Sequence, residues 1–343
     1  MNRIFKPLVK SLAPFAAGLL GLTTIISATT AQATTSSYTL CSTSGCRSGG
    51  TATVSGSYAQ TRYPIVFAHG MAGFSQIGPI DYWYGIPQDL TSNGAQVFVT
   101  QEASFQSSYV RGEQLLAQVN TILALTGASK VNLIGHSHGS QSIRYVAGTE
   151  PDIVASATAV GGPNTGSPVA DVVEGVTTTE VVGPLAAPVV AAIVNATFAF
   201  VDLTSGNGYQ QDAIGGLNSL TTKGAGLFNL SFPAGIPGTP CGQTAALQPN
   251  GVYYYSWGGT SHVTTAVDPS DALLLATSVA FAGQPNDGLV GQCSSHLGQV
   301  IRDNYNMNHL DEVNQMFGLV SIFETSPVTL FRNQANRLKL LGL

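Results

Sequence analysis

The stretch "VNLIGHSHGSQ", residues 131–141, sets a serine between two histidines and two glycines, directly after a run of apolar residues. "KVNLIGH" (130–136) reads as a short buried strand and "SQSIRYVAG" (140–148) as the helix that follows it. The stretch therefore has the form G-x-S-x-G on a strand that feeds a helix, which is the context a nucleophile elbow requires. In such a turn the serine sits on strained backbone with its Oγ exposed. Gly135 and Gly139 lack a Cβ, so strand and helix can close around it, and the helix N-terminus stabilises developing negative charge. Ser137 is thus the candidate nucleophile; the competing reading is a glycine-rich turn with an inert serine.

The flanking sequence supplies the frame. "YPIVFAHG" (63–70), "GAQVFVTQ" (94–101) and "VASATAVGGP" (154–163) read as further strands. "YVRGEQLLAQVNTILALTG" (109–127) has apolar residues at helical spacing and ends in glycine. Strands alternating with helices predict an α/β fold, with a mostly parallel central sheet flanked by helices. Residues 34–62 are rich in Ser, Thr and Gly and read as an extended leading segment. Residues 164–230 are apolar without strand character, with Pro184 and Pro188 as breaks. Within them "LAAPVVAAIVNATFAFVDL" (185–203) reads either as an ordinary buried helix or as a mobile helical lid over the site.

Composition narrows the function classes. The 343 residues are 44% apolar and only 9% charged, which suits a chain that buries a sizeable core. The formal net charge of −5 and the absence of a basic patch argue against a nucleic-acid partner. Residues 1–33 read as a signal peptide: Arg3, Lys6 and Lys10 precede the apolar run "LAPFAAGLLGLTTIISA", and "Ala31-Gln32-Ala33" suits cleavage. Removing them takes three cations and no acid, leaving 10 basic against 18 acidic residues, a net charge of −8. The remainder, 34–343, reads as one secreted domain with no integral membrane segment. Four cysteines in an exported chain suggest disulfides, and their order favours Cys41–Cys46 and Cys241–Cys293 although spacing cannot fix the pairing.

A nucleophilic serine needs a base and an acid. His136 and His138 lie too near Ser137 to swing onto its Oγ, and in this architecture the order is serine, acid, histidine. That leaves His262, His296 and His309 as candidate bases. The backbone N–H of His138 follows the nucleophile, where an oxyanion donor belongs. The second donor should come from the loop after the first core strand, "FAHGMAGF" (67–74), at Met71. One such donor is worth ~3 kcal/mol in the transition state.

The motifs "AHGMAGF", "DYWYGIP", "GHSHGSQS", "GGPNTGSPVAD", "DPSDA", "NDGLVGQCSSHLG" and "NHLDEVNQMFG" together resemble the secreted bacterial true lipases of the Pseudomonas and Burkholderia type, over nearly the whole chain after the leader. The resemblance implies an α/β-hydrolase fold with a lid, one calcium ion, one disulfide and hydrolysis of long-chain triacylglycerols at a lipid–water interface. By motif it assigns Ser137 as nucleophile, Asp287 as acid and His309 as base; among the other acids between Ser137 and His309, Asp303 is the alternative. His296 is then a structural residue and His262 a surface one. It assigns Asp268 and Asp311, with the carbonyls of Gln315 and Leu319, to calcium; hard oxygen donors suit that ion. It matches Cys241–Cys293 to the family disulfide, whereas Cys41 and Cys46 depart from the family pattern. It further implies a membrane-anchored foldase chaperone, two-step export through the periplasm and a monomeric enzyme.

Overall fold

Ile65, Val66, Phe67 and Ala68 are all buried, as are Val131 to His136 and Val154 to Val160. Strands covered on both faces belong to the middle of a parallel sheet with helices on each side. The computed structural model describes Met1 and residues 34–178, 208–265 and 267–343. The signal peptide expected over 1–33 and the apolar 185–203 segment lie outside the described residues, apart from Met1.

In chain order the elements are β1 (Thr35–Ser42), β2 (Gly45–Thr53), β3 (Ile65–Ala68), β4 (Gln76–Ile77), β5 (Ile80–Asp81), α1 (Ile86–Ser92), β6 (Val97–Val99), α2 (Ser108–Thr126), β7 (Val131–His136), α3 (Gly139–Thr149), β8 (Val154–Val160), α4 (Pro168–Thr178), α5 (Ala213–Leu220), α6 (Thr222–Ser231), β9 (Tyr253–Gly259), α7 (Ser270–Ser278), β10 (Gln299–Tyr305) and α8 (Pro327–Leu340). Eight strands form one sheet in the order β10-β9-β8-β7-β3-β6-β1-β2. Every neighbour pair is parallel except β1 with β2. The expected fold class is therefore observed. The leading segment is more ordered than its composition suggests, since it folds into the β1–β2 hairpin at the sheet edge.

The two faces of the sheet are read by alternation. Ile65, Phe67, Val97, Val99, Ile134 and Val160 pack with Trp83, Ile86, Leu90, Trp257, Phe331 and Ala335, under α1 and α8. Val66, Ala68, Phe98, Val131 and Leu133 point the other way, into Leu115, Val119 and Ile122 of α2 and Ile143, Val146 and Ala147 of α3. Helix α2 begins at Ser107, whose side chain accepts the Val110 N–H, and ends at Gly127 in the left-handed conformation (φ 67°). Both cysteine pairs are bonded as their order suggested. Cys41 and Cys46 face each other across the β1–β2 hairpin. Cys241–Cys293 ties the 241 turn to the segment that follows Asp287. Among the described residues no helix is long and apolar enough to cross a membrane.

Candidate active site

The serine of the opening motif stands at the C-terminal end of β7 with φ 54°, a left-handed conformation for a residue with a side chain. Strain of this kind persists only where the surroundings enforce it. The two glycines explain how. A Cβ on Gly135 would overlap the backbone of Gly139, and one on Gly139 would overlap the carbonyl of Ala68 in β3. The Ser137 N–H is held by the carbonyl of Val160 at 2.9 Å, and its own carbonyl accepts from Ser140 N–H (2.9 Å) and Ser140 Oγ (2.7 Å). The turn is over-determined from three sides, and α3 starts directly beneath it.

His309 and Asp287 meet beyond the ends of the neighbouring strands. His309 Nδ1–H donates to Asp287 Oδ2 at 2.8 Å, and both side chains are buried. The backbone locks the same pair, with His309 N–H on the Asp287 carbonyl at 2.9 Å. Asp287 Oδ1 accepts from the Leu289 (2.8 Å) and Val290 (2.7 Å) amides, so the carboxylate cannot rotate freely. With the Nδ1 proton committed to Asp287, Nε2 of His309 is the nitrogen left to accept a proton. The 309 loop reaches the elbow through His136. The two imidazoles lie 4.5 Å apart, and His136 Nε2–H donates to the His309 carbonyl at 3.0 Å. No Ser137–His309 hydrogen bond is formed among the described residues; such contacts are often long without substrate and tighten in the complex.

The loop after β3 lies against the serine. A Cβ on Gly70 would stand 2.8 Å from Ser137 Cβ and 3.3 Å from its Oγ. Gly70 N–H donates to Tyr82 Oη at 3.1 Å, and Tyr82 O–H in turn donates to His136 Nδ1 at 2.6 Å. Ala72, at φ 55°, is pinned to the Ser104 carbonyl at 2.9 Å. The amides of Met71 and His138 have no acceptor among the described residues.

The profile of the alpha/beta hydrolase fold matches residues 63–204. A triacylglycerol lipase of Vibrio cholerae is 53% identical over 287 residues, covering 83% of this chain and 90% of that protein. One from Burkholderia plantarii is 43% identical over 320 residues, covering 83% of this chain and 88% of that protein. The chain belongs to the bacterial triacylglycerol lipase family. Among solved structures, Staphylococcus hyicus lipase superposes with a TM-score of 0.54 at 16% identity over 81% of this chain and 96% of that one, a likeness of fold.

Within this lipase family frame the remaining candidates sort by their partners. Asp303 accepts from His296 Nε2 at 2.9 Å while His296 Nδ1 meets the Gly242 carbonyl at 2.7 Å, so this pair braces the disulfide region and does not serve His309. His262 pairs with Asn286 at 2.8 Å. His138 bonds Ser108 through Nε2 at 2.8 Å. Asp268 and Asp311, 6% and 1% exposed, are joined by Asp271. Asn308 Nδ2 donates to Asp271 at 2.9 Å, and Asn308 N–H to Asp311 Oδ2 at 3.2 Å. Asp311 Oδ1 is buried with no partner, and burial, aided by Asp268 and Asp271, pushes that carboxyl up to about 7. Gln315 and Leu319 follow in a turn tightened by left-handed Asn314 (φ 59°) and Phe317 (φ 54°).

Three buried charged neighbours of the site escaped the sequence reading. Glu312 is fully buried beside Asp287, and burial together with that carboxylate pushes it well above the usual range. Its side chain, His136 and His309 bring ligand atoms within 4.8 Å of one another. Both nitrogens of His136 are engaged, however, by Tyr82 and the His309 carbonyl, so His136 supports the backbone of the 309 loop, while Glu312 Oε2 lies 3.6 Å from His136 Nε2 without a hydrogen-bond partner. Glu102 and Arg111 lie fully buried behind the 68–73 loop. Glu102 was legible only as a polar residue after a strand, and Arg111 only as a helix cation.

Proposed function

We propose that this chain is an exported triacylglycerol lipase that hydrolyses long-chain esters through an acyl-enzyme. Ser137 Oγ attacks the ester carbonyl while His309 Nε2 takes its proton. Asp287 keeps the imidazole in the required tautomer and stabilises its charged form. The Met71 and His138 amides hold the tetrahedral oxyanion. His309 then protonates the leaving glyceride oxygen, and water, activated by the same base, releases the fatty acid. The observation that carries the reading is the 2.8 Å His309–Asp287 bond set beside a serine at φ 54° in a glycine-bounded elbow.

Calcium is part of the proposal. Asp268 and Asp311, with the Gln315 and Leu319 carbonyls, are the expected ligands, and Asp271 adds a third acid to the cluster. The buried, unpartnered Asp311 Oδ1 fits a hard cation, because leaving such an oxygen unpaired costs free energy. When bound, the ion neutralises these carboxylates and pins the loop that carries His309. Cleavage after Ala33, a helical lid within 164–230, assistance by a foldase, two-step export and a monomeric state complete the reading; they rest on the sequence motifs and the family.

The test is hydrolysis of emulsified triolein with and without a serine-directed phosphonate, beside Ser137→Ala. Loss of activity in both treatments supports the proposal. A variant as active as the parent, or activity confined to acetate and butyrate esters, overturns it. For calcium, exhaustive chelation should lower the melting temperature; an unchanged value with no ion by metal analysis rejects the site.

A further inference from the structure

Behind the 68–73 loop lies a buried group of charges that the reaction itself does not use. Arg111, on α2, reaches across to two backbone carbonyls: Nη2–H donates to the carbonyl of His69 at 2.5 Å and Nη1–H to that of Ala103. The residue whose carbonyl it grips is the one before Gly70, so the guanidinium sets the position of the backbone leading to the Met71 amide. Glu102 stands beside it, with Oε2 3.8 Å from Arg111 Nη2 and 3.6 Å from His69 Nε2. All three side chains are fully buried, and neither oxygen of Glu102 has a hydrogen-bond partner.

His69 does not neutralise that carboxylate. Its Nδ1–H donates to the Gly70 carbonyl at 2.8 Å, and its Nε2 accepts from the Glu102 N–H at 3.2 Å. Both nitrogens are committed in a neutral ring, and burial with the Arg111 charge pushes its pKa down to about 3. Arg111 is therefore the one cation within ion-pair distance of Glu102 among the described residues. The other titratable groups facing this cluster are Tyr209, which feels the Glu102 charge from the segment before α5, and Tyr82 and His138, which feel Arg111.

We propose that Glu102 is a positioning residue for the oxyanion loop: its carboxylate holds the Arg111 guanidinium that grips the His69 carbonyl, and neutralising it slackens the Gly70–Met71 backbone. The proposal rests on the lipase reading, which supplies the oxyanion. A lone buried guanidinium is held by two carbonyl dipoles; an ionised partner fixes the charge more firmly, at the cost of desolvating a carboxylate. Burial pushes Glu102 up to about 7, so the brace engages as pH rises through neutrality. Burying this carboxylate is a stability cost of the kind functional sites retain.

The experiment compares Glu102→Gln with wild type on a soluble p-nitrophenyl ester from pH 5.5 to 8.5, after confirming that Ser137→Ala abolishes the signal. The ratio of variant to wild-type kcat cancels the titration of His309, which both enzymes share. It is expected near one at pH 5.5, where both carry a neutral side chain, and to fall about tenfold at pH 8.5 with KM little changed. A ratio that is flat with pH overturns the proposal. Hydrogen exchange of the bonded Gly70 and Ala72 amides in wild type needs no variant; corrected for intrinsic rates, protection should rise several-fold between pH 6 and pH 8, and constant protection also overturns it. Residual activity in Ser137→Ala would instead sink the lipase reading and leave the exchange result standing.

Discussion

Replacing Glu102 by glutamine should make the protein more stable at alkaline pH even as it slows turnover. In the unfolded chain a glutamate releases its proton near 4.5; in the folded protein burial holds the Glu102 proton up to about 7. Below 4.5 both states carry the proton and there is no penalty. As pH rises from 4.5 to 7 the unfolded chain loses its proton while the folded protein keeps it, so stability falls through that window, and the shortfall is complete above 7. At ~1.4 kcal/mol per pH unit, the interval corresponds to about 3 kcal/mol. Glutamine has the shape of the protonated acid and nothing to lose, so the variant keeps that stability. Urea denaturation at pH 4.5, 6 and 8.5 is the assay. The free-energy difference between variant and wild type should be near zero at the lowest pH and about 3 kcal/mol in favour of the variant at the highest, a rise in melting temperature of about 6 °C. A difference that is constant with pH, or a variant less stable at pH 8.5, would refute the claim that desolvation of this carboxyl outweighs its attraction to Arg111.

Asp287→Asn should fold normally but lose about 10⁴ in kcat, because the amide presents the wrong tautomer of His309; a loss under tenfold in steady-state assays would remove Asp287 from its role. Gly139→Ala should destabilise by about 3 kcal/mol or abolish folding, since its Cβ overlaps the Ala68 carbonyl and neither backbone can yield; a normal melting curve would contradict the elbow geometry. The two disulfides should differ in worth. Removing Cys241–Cys293, which spans 52 residues, should cost about 4 kcal/mol in urea unfolding, against about 2 kcal/mol for the five-residue Cys41–Cys46 loop; equal costs would show that chain entropy does not govern them.

The elbow and the sheet centre are legible in the chain because both are local. G-x-S-x-G between "VNLI" and a helix is a contiguous pattern, and the strands over 65–68, 131–136 and 154–160 are continuous apolar runs that only a covered sheet accepts. The candidate nucleophile, the expected order of its partners and the candidate oxyanion amides followed from chain order and adjacency. Choosing His309 and Asp287 among their rivals already required family motifs, since they lie 22 residues apart and meet only because a turn folds the acid back onto the base. Strand β10, "QVIRDNY", went unread because an edge strand with mixed burial carries no clear alternation. The burial of charge comes only from packing between elements. Glu102, Arg111 and Glu312 look like solvated residues in sequence; they become site residues because β3, β6, α2 and the 309 loop converge on them. Periodicity records which face a residue takes within its own element. Desolvation depends on what other elements bring against that face, and no single stretch of sequence contains that information.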